Sequence, residues 1–248
     1  MSSKHSHHPL GADPVRAALD VVAFAMTTLA ETRDSGTGHH LLRIQHYVRK
    51  LARQLRTHPR FSAVLTPSYI SLLFQSAPLY DMGTMGIPDR ILLKPDRLTA
   101  PEMAIMRTHT TLARDALEQA EKMLGWRVEL LQTVKEISYS HQEKWDGSGY
   151  PQGLAGEQIP LSARLIALAD VYDALISERV YKAGVPHQEA VATLLAQRGG
   201  HFDPDVVDAF MAVEAQFQAI ALRYADTAQD LHNKIEYMAN SIAEEARL

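Results

Sequence analysis

The chain has 248 residues, 46% hydrophobic and 22% charged, with a formal net charge of -4, a profile that excludes collagen, coiled-coil and disordered classes for its bulk. No Lys/Arg block marks a surface for long nucleic acids, and no run approaches the ~18 apolar residues of a membrane span. Cysteine is absent, so disulfides and thiolate zinc sites are removed and His and Asp/Glu are left to bind metal; a small anionic ligand stays open, and a cytoplasmic location is expected.

Residues 1–12 carry His5, His7 and His8 and are expected to form a disordered tail. Val15, Ala18, Leu19, Val22, Ala23, Met26 and Leu29 then repeat at helical spacing, interrupted by Arg16 and Asp20, which suits an amphipathic helix better than a signal peptide. After the polar turn RDSGTGHH, a second stripe runs through Leu41, Ile44, Val48, Leu51 and Leu55. A third helix is predicted over Pro67 to Leu79, followed by the irregular GTMGIPDRILLKPDR.

Thr99 and Glu102 form a capping-box signature with Pro101 in the first turn. The helix they open carries Met103, Met106, His109, Ala113 and Leu117 on one face. Further helices are predicted from Val128 to His141, from Ser162 to Ile176, from Pro186 to Arg198, from the cap Asp203-Pro204 through Tyr224, and from there to the end. With no alternating strand in sight, the fold class is all-α, as one domain over residues 13–226 and a C-terminal helix over 227–248.

The stretch His141 to Pro151, HQEKWDGSGYP, is the organising feature. Leu130, Val134 and Ile137 run at helical spacing into His141, which turns that imidazole toward the core. Gly147, Gly149, Pro151, Gly153, Gly156 and Pro160 then break the helix into a long loop. Trp145, Tyr150 and Ile159 in that loop argue for function over disorder.

His40, Asp81, His109, His141 and Asp170 are scattered over five segments, yet four of them sit on or beside a helix face that the apolar pattern turns inward. Any one such His is commonly a satisfied core residue, and a carboxylate such as Asp170 within LIALADVYDALI is costly to bury unless paired or bound to metal. Together, imidazole and carboxylate are the ligand set of Zn, Fe and Mn sites.

Several strings carry a specific resemblance: TGHH at 37–40, APLYDMGTMGIPD at 77–89, ILLKPDRLT at 91–99, HQEKWDGSGYPQGLAGEQIP at 141–160, ADVYDALISERVYK at 169–182 and GGHFDP at 199–204. They resemble the HD-GYP family, an all-helical branch of the HD metal-phosphohydrolases, from about residue 15 onward. The resemblance implies hydrolysis of the bacterial second messenger cyclic di-GMP at a divalent metal site (Fe, Mn or Mg, one or two ions here). Many relatives carry an N-terminal receiver or sensor domain, and none is expected within these 248 residues. By the same resemblance His40, Asp81, His109, His141 and Asp170 match metal ligands, with Asp81 bridging, and Arg179 and Lys182 match residues that hold the substrate phosphates. Arg offers phosphate a planar fork and Lys a point charge. Gly149, Tyr150 and Pro151 match the motif that names the family, a loop implicated in contacts with partners such as GGDEF-domain proteins.

The departures fall in one pocket. Tyr80 stands where the family has the His of its HD pair, Thr84 where it usually has Lys, Gln142 where it has a second adjacent His, and Gly36 where three-metal members have Glu. Two reduced ligand sets remain, His40/Asp81/Asp170 and Asp81/His109/His141, and three protein ligands plus water suffice for some catalytic metals. Two function classes stay open: a metal-dependent cyclic di-GMP phosphodiesterase, and a non-catalytic module acting as nucleotide receptor or protein partner. A diiron oxygenase is the lesser third reading, because it too needs the missing imidazoles.

Finally, Leu231, Ile235, Met238 and Ile242 repeat at 4-3-4 spacing after Val207, Phe210, Phe217 and Tyr224 on the preceding helix. That seam is expected either to pack on the domain or to make a homodimer.

Overall fold

The computed structural model describes residues 39–125, 127–178 and 183–245, together with Val21, Ala25 and Thr28. Its centre is α1, His39–Leu55, whose apolar stripe buries Leu41, Ile44, Val48, Leu51 and Leu55 along with Tyr47. After it come α2 (Pro59–Ser62) and α3 (Pro67–Ser76), then two 3₁₀ turns, Ala77–Leu79 and Met82–Gly86, and the short α4 (Asp89–Leu92). The chain continues through α5 (Ala100–Arg107), α6 (His109–Leu124), α7 (Glu129–Ser140), a 3₁₀ turn at Gly156–Gln158, α8 (Leu161–Ile176), α9 (His187–Ala196), α10 (Pro204–Arg223) and α11 (Ala228–Glu245). Among the described residues there is no strand, only the isolated bridges Asp146 to Ala155 and Arg198 to Phe202.

Helix α1 packs against α10, α3 and α8, and α10 and α8 also touch each other. Aromatic rings fill that junction. Tyr47 stacks on Phe217 with centroids 4.4 Å apart and meets Tyr172 edge-on at 5.3 Å, while Phe210 closes on Phe217 at 5.0 Å. Such pairs add to the burial of large apolar rings. The stripe Val207, Phe210 and Phe217 is therefore core of this same chain. On α11 the Ile235 side chain is exposed; those of Leu231, Met238 and Ile242 lie outside the described residues.

From His39 onward the predicted helices are present with local differences. The segment opened at Thr99 keeps its capping box but is two helices, broken at Thr108, whose hydroxyl bonds back to the Ile105 carbonyl at 2.7 Å. The break separates the faces expected to be one, so Met103 is exposed whereas His109 and Ala113 are buried. Pro67 to Leu79 splits likewise into α3 and a 3₁₀ turn around Pro78, a residue that has no N–H to continue an α-helix. The stretch expected to be irregular holds the Met82–Gly86 turn and α4. At the other end Thr227 and Asp230 cap each other across the start of α11. The tail 1–12 and most of the helix expected at 15–29 lie outside the described residues, as do Gly36, Arg179 and Lys182.

Candidate metal centre

Three of the five candidate ligands come together. Asp81 lies between the two 3₁₀ turns, His109 is the first residue of α6, and His141 caps the C-terminus of α7. Their ligand atoms all fall within 4.8 Å of one another. His109 Nε2 is 3.3 Å from His141 Nε2 and 3.5 Å from an Asp81 carboxylate oxygen.

What brings Asp81 there is Gly83. A Cβ at that position would stand 1.9 Å from the His109 backbone oxygen, so only glycine lets the Met82–Gly86 turn lie against the start of α6. The helix break at Thr108 serves the same geometry by starting α6 at His109.

Protons on the two imidazoles are fixed by the backbone. His109 Nδ1 faces the Met106 carbonyl at 2.7 Å, and His141 Nδ1 faces the Ile137 and Ser138 carbonyls at 3.2 and 3.1 Å. A carbonyl only accepts, so each Nδ1 carries the hydrogen and each neutral ring presents its lone pair at Nε2. Burial keeps both rings neutral: it pushes His141 down to about 3, helped by the neighbouring His109, and depresses His109 also. Two nitrogen lone pairs and a carboxylate oxygen thus converge on one point with no hydrogen of their own between them. A divalent cation satisfies that arrangement, and a backbone-oriented imidazole is the usual way a metal-binding His is held. The residues therefore fit a divalent ion. The approach is on the Asp81 side, where that side chain is 32% exposed against 5% for His109.

The other two candidates do not join this group. His40, on α1, and Asp170, on α8, face each other with Nε2 and Oδ1 4.0 Å apart. The Tyr80 hydroxyl bridges them from one side: it donates to Asp170 Oδ1 at 2.7 Å and lies 2.9 Å from His40 Nε2. Tyr80 itself is buried, with its ring edge-on to His141 at 5.2 Å. The other ring nitrogen of His40 bonds to Asp173 at 2.7 Å. Asp173, rather than Asp170, is the fully buried carboxylate of α8. Arg43 grips it with Nε at 2.7 Å and a terminal nitrogen at 2.9 Å. Burial works against the Asp173 charge, but the His40 and Arg43 hydrogen bonds and charges outweigh it and hold the carboxyl below the usual carboxylate range.

Sequence reasoning missed Asp173 and Arg43, although both signals were present. Asp173 is three residues after Asp170 and Arg43 three after His40, spacings that put each pair on one helix face. Thr84, at the family's Lys position, turns its hydroxyl back to the Asp81 carbonyl at 2.8 Å.

The loop after α7 closes the site from one side. Tyr150 packs edge-on to His109 at 6.3 Å, under the Arg107 guanidinium at 4.9 Å. Burial, then the Asp81 charge, raises its phenol to about 12, so it stays neutral. A Cβ on Gly149 would fall 2.3 Å from the Lys144 nitrogen and 2.5 Å from Glu143 Cα, which explains glycine there. Pro151, the last residue of the motif, follows Tyr150 through a cis peptide bond. The side chain of Glu143, buried and also missed from sequence, accepts from the backbone of Gln152 at 2.7 Å and Leu154 at 3.0 Å. Gln142 contributes its backbone oxygen to Tyr150 N–H at 3.2 Å. The GGHFDP segment ties the loop down from outside, through Trp145 N–H to His201 and Asp146 N–H to Gly200.

Comparison with known proteins gives the family. The family described as HD domain matches residues 25–206. A protein of Vibrio cholerae named "Probable cyclic di-GMP phosphodiesterase" is 56% identical over 207 residues, 84% of this chain and 47% of that one. A second from the same organism, "Cyclic di-GMP phosphodiesterase", is 52% identical over 86% of this chain and 43% of its own length. The chain thus spans about half the length of the curated relatives it matches. The crystal structure of a cyclic GMP-AMP specific phosphodiesterase of V. cholerae aligns with a TM-score of 0.55 at 20% identity, covering 91% of this chain and 59% of that one, which is a likeness of fold. With the Asp81, His109 and His141 cluster and the glycine-braced loop on one side and the family match on the other, the chain belongs to the HD domain family, in its HD-GYP branch.

Proposed function

We propose that this chain is the hydrolytic domain of a metal-dependent cyclic di-GMP phosphodiesterase. The observation that carries the reading is the convergence of Asp81, His109 and His141 on one point, with both imidazoles locked in the tautomer that aims Nε2 at it. Two imidazoles and a carboxylate favour Fe or Mn over Mg, which prefers oxygen ligands. A divalent ion held there supplies Lewis acidity and water activation for phosphodiester cleavage. The chain's own residues do the rest. Asp81 presents its carboxylate at the open side, Tyr150 forms a neutral aromatic wall beside the imidazoles, and Arg107 stands behind that ring with its charge available to a phosphate. Arg179 and Lys182 are proposed to bind the substrate phosphates as in the family.

The same reading extends to a cytoplasmic location, to GGDEF-domain proteins as partners of the Tyr150 loop, and to the last helix as a homodimer seam. Light scattering on the intact chain and on one ending near Asp226 tests the dimer, which a monomeric full-length chain contradicts.

The test of function is incubation of the purified chain with cyclic di-GMP, and separately with 3'3'-cyclic GMP-AMP, in the presence of Mn, Fe(II) or Mg, with products resolved by chromatography. Cleavage of cyclic di-GMP that needs Mn or Fe and disappears with chelator is expected. An ion-loaded protein that cleaves neither nucleotide contradicts the proposal, and preference for the mixed dinucleotide reassigns the substrate.

A further inference from the structure

We infer that Tyr80 is a built-in plug that closes a second ion compartment, so that this domain binds one divalent ion where His40 and Asp170 would otherwise help to hold another. The inference deepens the metal-centre reading above and rests on it. His40 Nε2 and Asp170 Oδ1 are 4.0 Å apart. Bonds from a metal to imidazole nitrogen or carboxylate oxygen are about 2.0–2.2 Å, so an ion joining those atoms must lie nearly between them, against the Tyr80 oxygen. That oxygen is 2.9 Å from His40 and 2.7 Å from Asp170.

The surroundings keep it there. The Tyr80 ring is wedged against His141, and the ring of His40 is fixed from its far side by Asp173, itself in the fork of Arg43. His40 cannot turn its Nε2 elsewhere without breaking a buried charged hydrogen bond, which is costly. An ion enters this compartment only if the phenol gives way, and its ring is buried and packed edge-on against His141. The ligand residues at this position are thus present and pre-aligned but aimed at a phenol.

The experiment is metal counting on the folded chain, loaded anaerobically with excess Mn or Fe(II), desalted and measured by elemental analysis, for the wild type, Tyr80→His and Tyr80→Phe. About one ion per chain is expected for the wild type and about two for Tyr80→His, which replaces the phenol by an imidazole; Tyr80→Phe, which has no phenol oxygen, is the blank for the spectroscopic readout. Oxidation of the iron-loaded wild type supplies a second readout that needs no variant, because Fe(III) bound by a phenolate absorbs in the visible. No such band is expected. Two ions in the wild type, one in a folded Tyr80→His, or a phenolate band lost in Tyr80→Phe would each overturn the plug. A wild type with no ion at all removes the metal centre beneath it and the inference with it. A one-ion protein without hydrolysis counts against the proposed function alone and leaves the plug standing.

Discussion

The two halves of the pocket contain similar residues in different states. On one side Asp81, His109 and His141 turn three ligand atoms to a shared point; on the other, a ring nitrogen of His40 and a carboxylate oxygen of Asp170 meet the Tyr80 hydroxyl. The difference lies in what fixes the far side of each imidazole. His109 and His141 are held by backbone carbonyls, which leaves their Nε2 lone pairs exposed. His40 is held by a buried carboxylate that is itself charge-paired, which builds it into a structural network. Counting ligand-type residues therefore does not count metal sites, because a side chain serves a metal only if its lone pair is not already committed.

The sharpest way to break this comparison is to remove one imidazole from each half. His141→Ala should lower metal affinity by more than about 100-fold and abolish metal-dependent hydrolysis, since loss of supporting partners alone commonly costs roughly 10–100-fold. His40→Ala should leave the ion in place within about tenfold. Its cost should appear in stability, roughly 1–3 kcal/mol for stripping a hydrogen bond from buried Asp173. Titration with Mn and thermal melts on both variants check this, and the reverse pattern would place the ion on the wrong side.

Next in size is Gly83→Ala. The added carbon meets the His109 backbone oxygen, so the turn carrying Asp81 must move away from α6, with a destabilisation of about 1–3 kcal/mol and a weaker metal site. Glu143→Gln tests the loop. The amide has one acceptor oxygen where two backbone N–H groups converge, so roughly 1–3 kcal/mol should be lost with the ion count unchanged. Limited proteolysis near Gln152 reports the loosened loop.

These residues also show what the sequence made legible. The helical class, the capping box at Thr99 and the inward aim of His109 and His141 follow from periodicity and capping chemistry, and the resemblance located the five candidates. What it did not show is that Tyr80 would reach His40 and Asp170. That contact joins α1, the turn before Asp81 and α8, and a position in a string says nothing of distances between helices. The split of α5 from α6 was hidden for a related reason: Thr108 is tolerable inside a helix, and its role as a break is decided by packing around Gly83. Asp173 was within reach, one turn beyond Asp170 on an unusually apolar helix.

The smallest effect expected is on pH. In the chelated protein His141 takes up a proton only near pH 3, whereas in the unfolded chain it does so near the ordinary ~6.5. The unfolded state binds more protons between those values, so stability should fall as pH drops from about 6.5 toward 3. Part of this slope should vanish in His141→Phe, as followed by melting temperature at pH 7, 6 and 5. Asp173 acts in the same direction, but its contribution is lost only as pH falls below about 5, where carboxyls of the unfolded chain begin to protonate, so it does not contribute between pH 7 and 5.

The central claim, that the ion belongs to the His109 and His141 side and that Tyr80 excludes one from the other, is tested most directly by anomalous diffraction at the manganese edge from crystals soaked in Mn. One peak is expected, within bonding distance of His109 Nε2, His141 Nε2 and an Asp81 oxygen. A peak between His40 and Asp170, alone or as a second site, would contradict it.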